Sequence, residues 1–342
     1  GVVSAPLFAR DPGQPSASDH DTKQLATARY GSEVPPPEDV DDAEVEEVDT
    51  RSATARYGSE VPPEDAEPEL EDEPELEEEP ETEGPRGILD KRDVVAHYGH
   101  PFSTGMGILG EYSIEENARR LEELAQKYDK LNGDRGVAPA FHIIYATATT
   151  EADVSILQRA KLMEYIRFAE ENDFLVILDH QIGDDDVVSS MRTMFEFLEY
   201  DSVHLAFDPE WSTDRPNEVI GSVTAEQVNA VQREMQEYMI ENDIEGRKML
   251  VVHQFNWQMI ENRENVRADF ERVDLVHNAD GFGPPSDKRN SWEYNARATN
   301  IPLKGFKLFY PKEWRDGGYD DPLMSPEEVM SLEPQPVIIM YQ

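Results

Sequence analysis

The chain has 342 residues and no cysteine, and its 73 acidic residues against 31 lysines and arginines give a formal net charge of −42. The lack of cysteine excludes disulfides, cysteine-based zinc sites and thiol catalysis. Nucleic acid is excluded as a partner, because a phosphate backbone needs a basic surface to neutralise it. The apolar runs span only a handful of residues, whereas a membrane-spanning helix needs roughly 20. We therefore expect no transmembrane segment.

Residues 1–85 differ in composition from the rest of the chain. They hold 26 acidic and only 5 basic residues, together with 12 of the 24 prolines, and they end in a tract rich in glutamate and proline. Such a segment cannot bury enough apolar surface to offset the entropy of ordering it. We predict a disordered, self-repelling acidic linker over residues 1–85 and one folded domain over residues 86–342.

The linker contains an internal repeat, since residues 26–39 recur as residues 53–65. Two copies are too few for a solenoid. The repeat is interpreted either as duplicated linker or as a short docking motif built around its Arg-Tyr pair. The sequence starts with glycine and not methionine, which favours removal of a targeting segment. We therefore expect an extracellular or cell-surface protein, with attachment to the cell envelope through the tail as a further possibility.

From about residue 92 onward, short β-rich apolar runs alternate with amphipathic helical stretches, which is typical of βα units and a parallel sheet. Ser113, Thr224 and Ser325 are predicted to cap the starts of helices. Eight strands match the usual size of a (β/α)8 TIM barrel, about 250 residues, better than that of an open doubly wound sheet. No closing helix follows the last run, so we expect it to be missing or replaced by residues before Val94. The predicted strands are residues 94–98, 140–146, 174–178, 203–207, 249–255, 273–277, 305–310 and 337–341.

Polar residues inside these strands should point into the barrel, because the outer face of the sheet is buried under helices. His142, His204, Asp274 and Lys307 form this inward set. They are either part of a site or internal hydrogen-bonded and ionic pairs below it.

The active sites of such barrels lie where strands end and βα loops begin. These positions carry aromatic rings, which can stack on sugar faces, beside carboxylates, amides and histidines, which can bind hydroxyl groups. Carbohydrate is therefore the predicted ligand, although the tryptophans could instead cap the core under the loops. The predicted substrate-binding residues are His97, Tyr98, Tyr145, His180, Trp211, His253, Gln254, Trp257, Asp280, Tyr310 and Trp314.

Glycosidic cleavage usually needs two facing carboxyl groups. The fourth strand ends in Asp208 and Glu210. By analogy with many retaining barrel glycosidases, Glu210 is predicted as the general acid and Glu313, after the seventh strand, as the nucleophile. Asp179 on the third strand is the alternative partner, and Asp208 is expected to orient the substrate. The neighbouring Trp211 is expected to raise the pKa of the acid.

Several strings in the second half of the chain resemble those of a group of uncharacterised secreted proteins of actinobacterial type with a glycoside-hydrolase-like barrel. The resemblance is clear over residues 203–342, weaker over the first three strands and absent from the tail. It implies an extracellular barrel, and it implies no particular reaction. The strings are FDPEW at 207–211, IGS at 220–222, LVVHQF at 250–255, DGFG at 280–283, GFKLFY at 305–310 and the closing VIIMY at 337–341.

Two other functions stay open. A metal-dependent hydrolase could use the imidazoles and carboxylates near the mouth, but strand alternation should point His97 and His100 apart, so we predict no metal and no cofactor. A barrel that binds glycan without catalysis would show the same aromatic residues. In either case, the net charge of −21 on residues 86–342 favours a neutral glycan. The metal candidates are His97, His100, Asp179, His180, Asp208 and His253.

Overall fold

The computed structural model describes residues 84–311 and 318–342. The predicted linker, except for its last two residues, lies outside the described residues together with its repeat, and so do Glu313 and Trp314. Within the described ranges, no helix combines the length and the apolar character needed to cross a membrane.

Eight parallel strands form a closed ring, which confirms the predicted (β/α)8 TIM barrel. The ring order is β1-β11-β10-β9-β7-β5-β4-β2, and β2 also pairs with β1, which closes the barrel. Each of the eight predicted runs overlaps one of these strands. The short β3 lies antiparallel to the end of β2, while β6 and β8 pair with each other. The strands are β1 (Arg92–Gly99), β2 (Gly136–Ala148), β3 (Val154–Ile156), β4 (Leu175–Gln181), β5 (Val203–Asp208), β6 (Val223–Thr224), β7 (Lys248–Gln254), β8 (Ile260–Glu261), β9 (Val273–Ala279), β10 (Leu303–Leu308) and β11 (Ile338–Tyr341).

Helices surround the ring, and three of them begin where the sequence predicts. Ser113, Thr224 and Ser325 each accept a hydrogen bond from a backbone N–H three residues on, and this bond satisfies one of the free donors of the first turn. The described helices are α1 (Ile114–Asp129), α2 (Arg159–Asn172), α3 (Val187–Arg192), α4 (Ala225–Glu241), α5 (Pro285–Ala296) and α6 (Pro326–Met330).

Strand alternation divides the core into two parts. One cluster fills the barrel and includes the small side chains Ala96, Ala140 and Ala206. The other lies between the sheet and the helices and includes Phe141 and Leu205, each one residue away from an inward alanine. Because successive side chains alternate between these two cores, the phase of a polar residue decides whether it reaches the barrel interior.

The amino end of the barrel is closed. A 3-10 turn at Ile88–Asp90 places Leu89 against the interior cluster. Arg247 donates to Asp274 Oδ1 at 2.8 Å, to the Pro85 carbonyl at 2.7 Å and to Asp90. Of the predicted inward residues, Asp274 therefore belongs to this closure. His204, whose Nδ1 accepts the Met249 N–H at 3.0 Å, likewise makes an internal bond away from the mouth.

The sequence led us to expect that the helix after the last strand is missing or replaced by residues before Val94. In the structure, α1 contacts the outer face of this strand. The Tyr128 hydroxyl of α1 lies 2.6 Å from the Tyr341 hydroxyl of β11. Tyr310 packs on the same Tyr341 ring, with centroids 5.3 Å apart. The helix after the first strand thus contacts both the first and the last strand of the ring.

Candidate active site

Four polar or aromatic side chains from alternate strands form one layer inside the barrel. Tyr98, Asp179, His253 and Lys307 come from β1, β4, β7 and β10. The Lys307 ammonium lies 3.7 Å from the centroid of the Tyr98 ring, and His253 Nε2 lies 3.2 Å from Asp179 Oδ2. Layers of four side chains from alternate strands are the usual filling of this barrel. This layer is polar where hydrophobic residues normally stand.

Asp179 is held between two imidazoles. Its Oδ2 lies 3.2 Å from His142 Nε2 and 3.2 Å from His253 Nε2, and all three side chains are fully buried. Burial by itself would raise the pKa of Asp179, but the two histidines outweigh it and hold this pKa far below its usual range. Burial lowers the pKa of His142 to about 4 in spite of Asp179. Asp179 is therefore a carboxylate at neutral pH, and His142 is uncharged.

The network continues to a second carboxylate. His253 Nδ1 lies 3.3 Å from Asp280 Oδ2, and Lys307 Nζ lies 3.0 Å from Asp280 Oδ1. Burial would lower the pKa of His253, but Asp280 and Asp179 outweigh it and raise this pKa to about 10. Burial would raise the pKa of Asp280, which Lys307 and His253 instead lower. Two carboxylates and two cations thus balance within one buried cluster.

A fifth group of this cluster, Asp208, behaves differently. Burial raises its pKa to about 7, helped by Asp280 and Asp179 and opposed by His253 and Lys307. Its Oδ1 accepts the backbone N–H of Glu210 at 3.1 Å. Oδ2 is therefore the oxygen left to carry a proton.

A cavity of about 340 Å³ opens above this cluster at the carboxyl ends of the strands. This volume is at the lower end of the range for small-molecule sites. Aromatic and aliphatic walls stand beside carboxyl, amide and ammonium groups, so the cavity can contact both the faces and the hydroxyl groups of a small polar ligand. Its lining includes Tyr98, Thr147, Gln181, Asp208, Glu210, Trp211, Asn217, Phe255, Asp280, Lys307 and Phe309.

The backbone after β5 fixes the position of Glu210. Asp208 caps a 3-10 turn at Pro209–Trp211, in which the proline has a preset φ. The Glu210 carbonyl accepts the Gly221 N–H at 2.6 Å. A Cβ at Gly221 would lie 2.6–2.7 Å from three carbonyl oxygens of this turn, so only glycine allows the loop to approach. Glu210 itself is almost fully buried.

The structure brings together seven of the predicted site residues. Tyr98, Asp208, Glu210, Trp211 and Asp280 line the cavity, while Asp179 and His253 lie directly beneath it. Trp257 lines a different cavity, described below.

Five other predicted site residues face the helices. His97 Nδ1 lies 3.2 Å from Asn117 Oδ1 of α1, and Gln254 Oε1 lies 2.7 Å from His277 Nε2. Each of the five stands one residue out of phase with an inward neighbour, so its side chain points away from the cavity. They are His97, Tyr145, His180, Gln254 and Tyr310.

Sequence reasoning placed His142 and Lys307 in the interior but did not assign them to the site, and it missed Gln181 and Thr147. The sequence pattern predicts that Gln181 points inward, because it is two residues beyond Asp179 and in the same phase. The pattern does not predict this for Thr147, because strict alternation would turn its side chain outward. A register shift between Ile144 and Ala146 reverses the phase near the end of β2 and exposes Thr147 to the cavity.

His142, Asp179 and His253 could in principle hold a metal ion, since they offer ligand atoms within 4.8 Å of one another. Imidazole and carboxylate suit zinc or manganese. A metal would have to displace the proton that His253 holds between two carboxylates. Of the six metal candidates from the sequence, only Asp179 and His253 belong to this trio. Two of the others, His97 and His180, face the helices.

No protein-family model and no curated protein sequence matches this chain. Several solved structures are similar at low identity. An oxaloacetate acetylhydrolase in complex with oxalate is 16% identical, over 76% of this chain and 81% of its own, with a TM-score of 0.43. A chitinase from Chromobacterium violaceum is 11% identical, over 63% and 68%, with a TM-score of 0.35. A family 18 N-acetylglucosaminidase from Paenibacillus barengoltzii is 14% identical, over 64% and 68%, also with a TM-score of 0.35. Similar structures thus include barrel glycoside hydrolases. At these sequence identities and TM-scores, the similarity says nothing about the substrate or the mechanism of this chain.

Proposed function

We propose that this barrel hydrolyses a glycosidic bond in a neutral glycan, with Asp208 and Glu210 as its catalytic carboxyl groups. The observation that carries the proposal is that two buried carboxyl groups, Asp208 and Glu210, line the same cavity. Burial raises the pKa of Asp208 to about 7, which supports its role as the proton donor. Glycosidases need one carboxyl group protonated and a second one as nucleophile or base. The aromatic walls supply stacking surfaces for sugar rings.

In this mechanism Asp208 donates its proton to the glycosidic oxygen while the bond from that oxygen to the anomeric carbon breaks. Glu210 either attacks the anomeric carbon or removes a proton from the water that does so. Water finally supplies the hydroxyl group of one product and restores the proton of Asp208. Asp179, beneath the cavity and in contact with two imidazoles, acts through charge: it raises the pKa of Asp208.

The sequence alone suggested the reverse assignment, with Glu210 as the acid, Asp208 as the orienting group, and Glu313 or Asp179 as the partner. The raised pKa of Asp208 favours the assignment proposed here. We also propose that the protein acts outside the cell on an environmental or cell-envelope glycan, because residues 1–85 have the composition of a spacer. Attachment to the envelope through this segment belongs to the same proposal.

Variants with activated substrates distinguish the two assignments. We expect the parent protein to cleave at least one member of a panel of neutral glycans and aryl glycosides. If Asp208 is the acid, Asp208→Asn keeps more activity on glycosides with good leaving groups, since these need no protonation. Glu210→Ala should lose activity on all of them and recover it with azide.

The opposite pattern, with azide rescue of Asp208→Ala and leaving-group dependence in Glu210→Gln, would contradict our assignment of roles. Glycan binding that survives both substitutions, with no product from the parent protein, would overturn the enzymatic function. It would instead identify a carbohydrate-binding barrel without catalysis.

A further inference from the structure

A second cavity is larger than the one at the mouth, at about 760 Å³. The same two loops border both cavities. Asn217 and Phe255 line the mouth, while Ile220 and Trp257, a few residues further along each loop, line the second cavity. These two loops therefore contribute to the walls of both cavities.

The loops between the cavities are held in place by hydrogen bonds. β6 pairs with β8, which ties the two loops together just beyond Ile220 and Trp257. The Asn256 side chain accepts the Gln258 N–H at 2.8 Å and caps the turn that carries Trp257. Gln254 Nε2 donates to the carbonyl of Trp257 at 3.3 Å. The cavity wall is thus preorganised, which lowers the entropic cost of binding a ligand.

Trp257 offers an aromatic surface on one side of this cavity. The residue is 37% exposed, and it is one of four large hydrophobic residues exposed among the described residues. On another side, the Arg263 guanidinium lies 3.9 Å from the centroid of the Tyr294 ring and donates to neutral oxygens of Gln254 and Tyr294. An aromatic surface beside fixed polar groups is the combination that binds sugars.

The charges around the cavity cancel. Arg263 and Arg297 are matched by Glu261 and Glu264, and the remaining polar lining consists of amides and hydroxyl groups. Neither a strongly anionic nor a strongly cationic ligand is favoured by such a balance, whereas an uncharged polyhydroxylated one is.

We propose that the Trp257 cavity is a second carbohydrate subsite, which binds sugar units of a neutral glycan that extends out of the mouth. For the identity of the ligand in the mouth, this inference rests on the proposed function. It makes the preferred ligand an oligosaccharide or polysaccharide chain and not a single sugar.

The test measures binding by calorimetry on the Asp208→Asn/Glu210→Gln protein, which cannot turn substrate over. The probes are linear neutral oligosaccharides of increasing length built from glucose, xylose, mannose or N-acetylglucosamine. We expect affinity to rise with length in one series. Trp257→Ala should remove about tenfold of that gain while leaving the affinity for the shortest binding member unchanged, and Trp257→Phe should keep most of it. Ile240→Ala, which truncates an exposed apolar side chain on α4, is the matched control.

The outcomes separate the inference from the function it extends. If the parent protein hydrolyses a glycan but Trp257→Ala loses no length-dependent affinity, the proposed Trp257 subsite is wrong, whereas the proposed hydrolytic function is kept. If no glycan is hydrolysed but the Trp257-dependent gain is found, the subsite stands and the enzymatic function fails. If no series binds at all, both are overturned. Trp257→Phe and the fluorescence of the remaining tryptophans show whether each variant is folded.

Discussion

Both ends of the barrel contain ion pairs, and the pairs serve different purposes. At the amino end, Arg247 bonds to Asp90 and Asp274, and all three side chains keep some contact with solvent, with 24%, 40% and 10% exposed. At the carboxyl end, Asp179 and His253 are fully buried and Asp280 and Lys307 are nearly so. Ion pairs that keep solvent contact have moderate effects on stability. Buried charges depend strongly on their partners.

This difference in burial indicates that the carboxyl end of the barrel is the end suited to catalysis. At the amino end, burial raises the pKa of Asp274 and Arg247 opposes this effect, while the pKa of Asp90 is lowered by the Gly87 N–H and Arg247 in spite of burial. The carboxyl end holds two cations, His253 and Lys307, and four buried carboxyl groups, Asp179, Asp280, Asp208 and Glu210. Burial raises the pKa of Asp208 to about 7. A group whose pKa is moved close to the ambient pH by burial is suited to proton transfer.

The largest expected effect tests the chemical role of the carboxyl end. Asp208→Asn and Glu210→Gln should each lower kcat/KM on the natural leaving group by roughly 10²- to 10⁴-fold. Asp274→Asn, at the amino end, should leave kcat/KM of the folded protein unchanged. Steady-state hydrolysis of a glycan cleaved by the parent protein measures this. An equal loss in all three variants would remove the proposed division between the two ends.

The next effect concerns stability. His253→Ala leaves Asp179 and Asp280 buried without their shared cation, and should lower the free energy of unfolding by roughly 3–5 kcal/mol. The pKa of His253 is about 10 in the folded protein, above the ordinary value near 6.5. Its contribution is therefore complete below about pH 6.5 and is lost as the pH rises through about 10.

Urea unfolding of the parent protein and His253→Ala at several pH values checks this expectation. Loss of the same free energy at pH 6 and pH 10 would mean that His253 is uncharged in the folded state. The balanced cluster described for the carboxyl end would then be wrong.

Asp208→Asn should have the opposite effect on stability. The folded protein keeps the Asp208 proton up to about pH 7, while the unfolded chain releases it near pH 4, so the parent loses stability as the pH rises between these values. The amide removes this loss, and we expect Asp208→Asn to be more stable than the parent at pH 8 by at least about 1 kcal/mol. At pH 4 the two proteins should differ little. A pH-independent difference in thermal or urea unfolding would place the Asp208 pKa near its usual value.

A smaller effect is expected from the amino end. Asp90 pairs with Arg247 in partial contact with water, and Arg247 keeps Asp274 and the Pro85 carbonyl as partners after Asp90→Ala. We expect a loss below about 1 kcal/mol, which shrinks at high salt. A loss as large as that of His253→Ala would show that the two ends are equally dependent on their ion pairs.

The smallest expected effect is that of chelation. Because the charges of Asp179, His253, Asp280 and Lys307 already balance, EDTA or dipicolinate should leave both hydrolysis and the unfolding midpoint unchanged. Loss of either, with recovery on adding zinc or manganese, would instead assign His142, Asp179 and His253 to a metal centre. The carboxyl end would then be a metal-hydrolase site.

The fold was predictable from the sequence because its signals are local. Each strand is a separate apolar run, and each cap residue at Ser113, Thr224 and Ser325 lies within three residues of its partner. The inward orientation of His142 and Lys307 also follows from alternation alone.

The site was only partly predictable because it depends on phase and on distance. Residues next to one another at a strand end, such as His97 and Tyr98, point to opposite sides, and a shift of one position moves a side chain from the cavity to the helix layer. The pKa of Asp208 depends on Asp179, Asp280 and His253, which come from three other strands. No pattern in the sequence gives those separations.

The contact between Tyr128 and Tyr341 joins positions 213 residues apart in the chain. Ring closure between β1 and β11 spans a similar separation, and such non-local pairings form slowly because the intervening loop must be closed first. Before β11 pairs with β1 during folding, β1 has an unpaired edge that can pair with another chain. Partly folded molecules should therefore be prone to aggregate through this edge, and conditions that slow the last step of folding should lower the yield of monomeric protein.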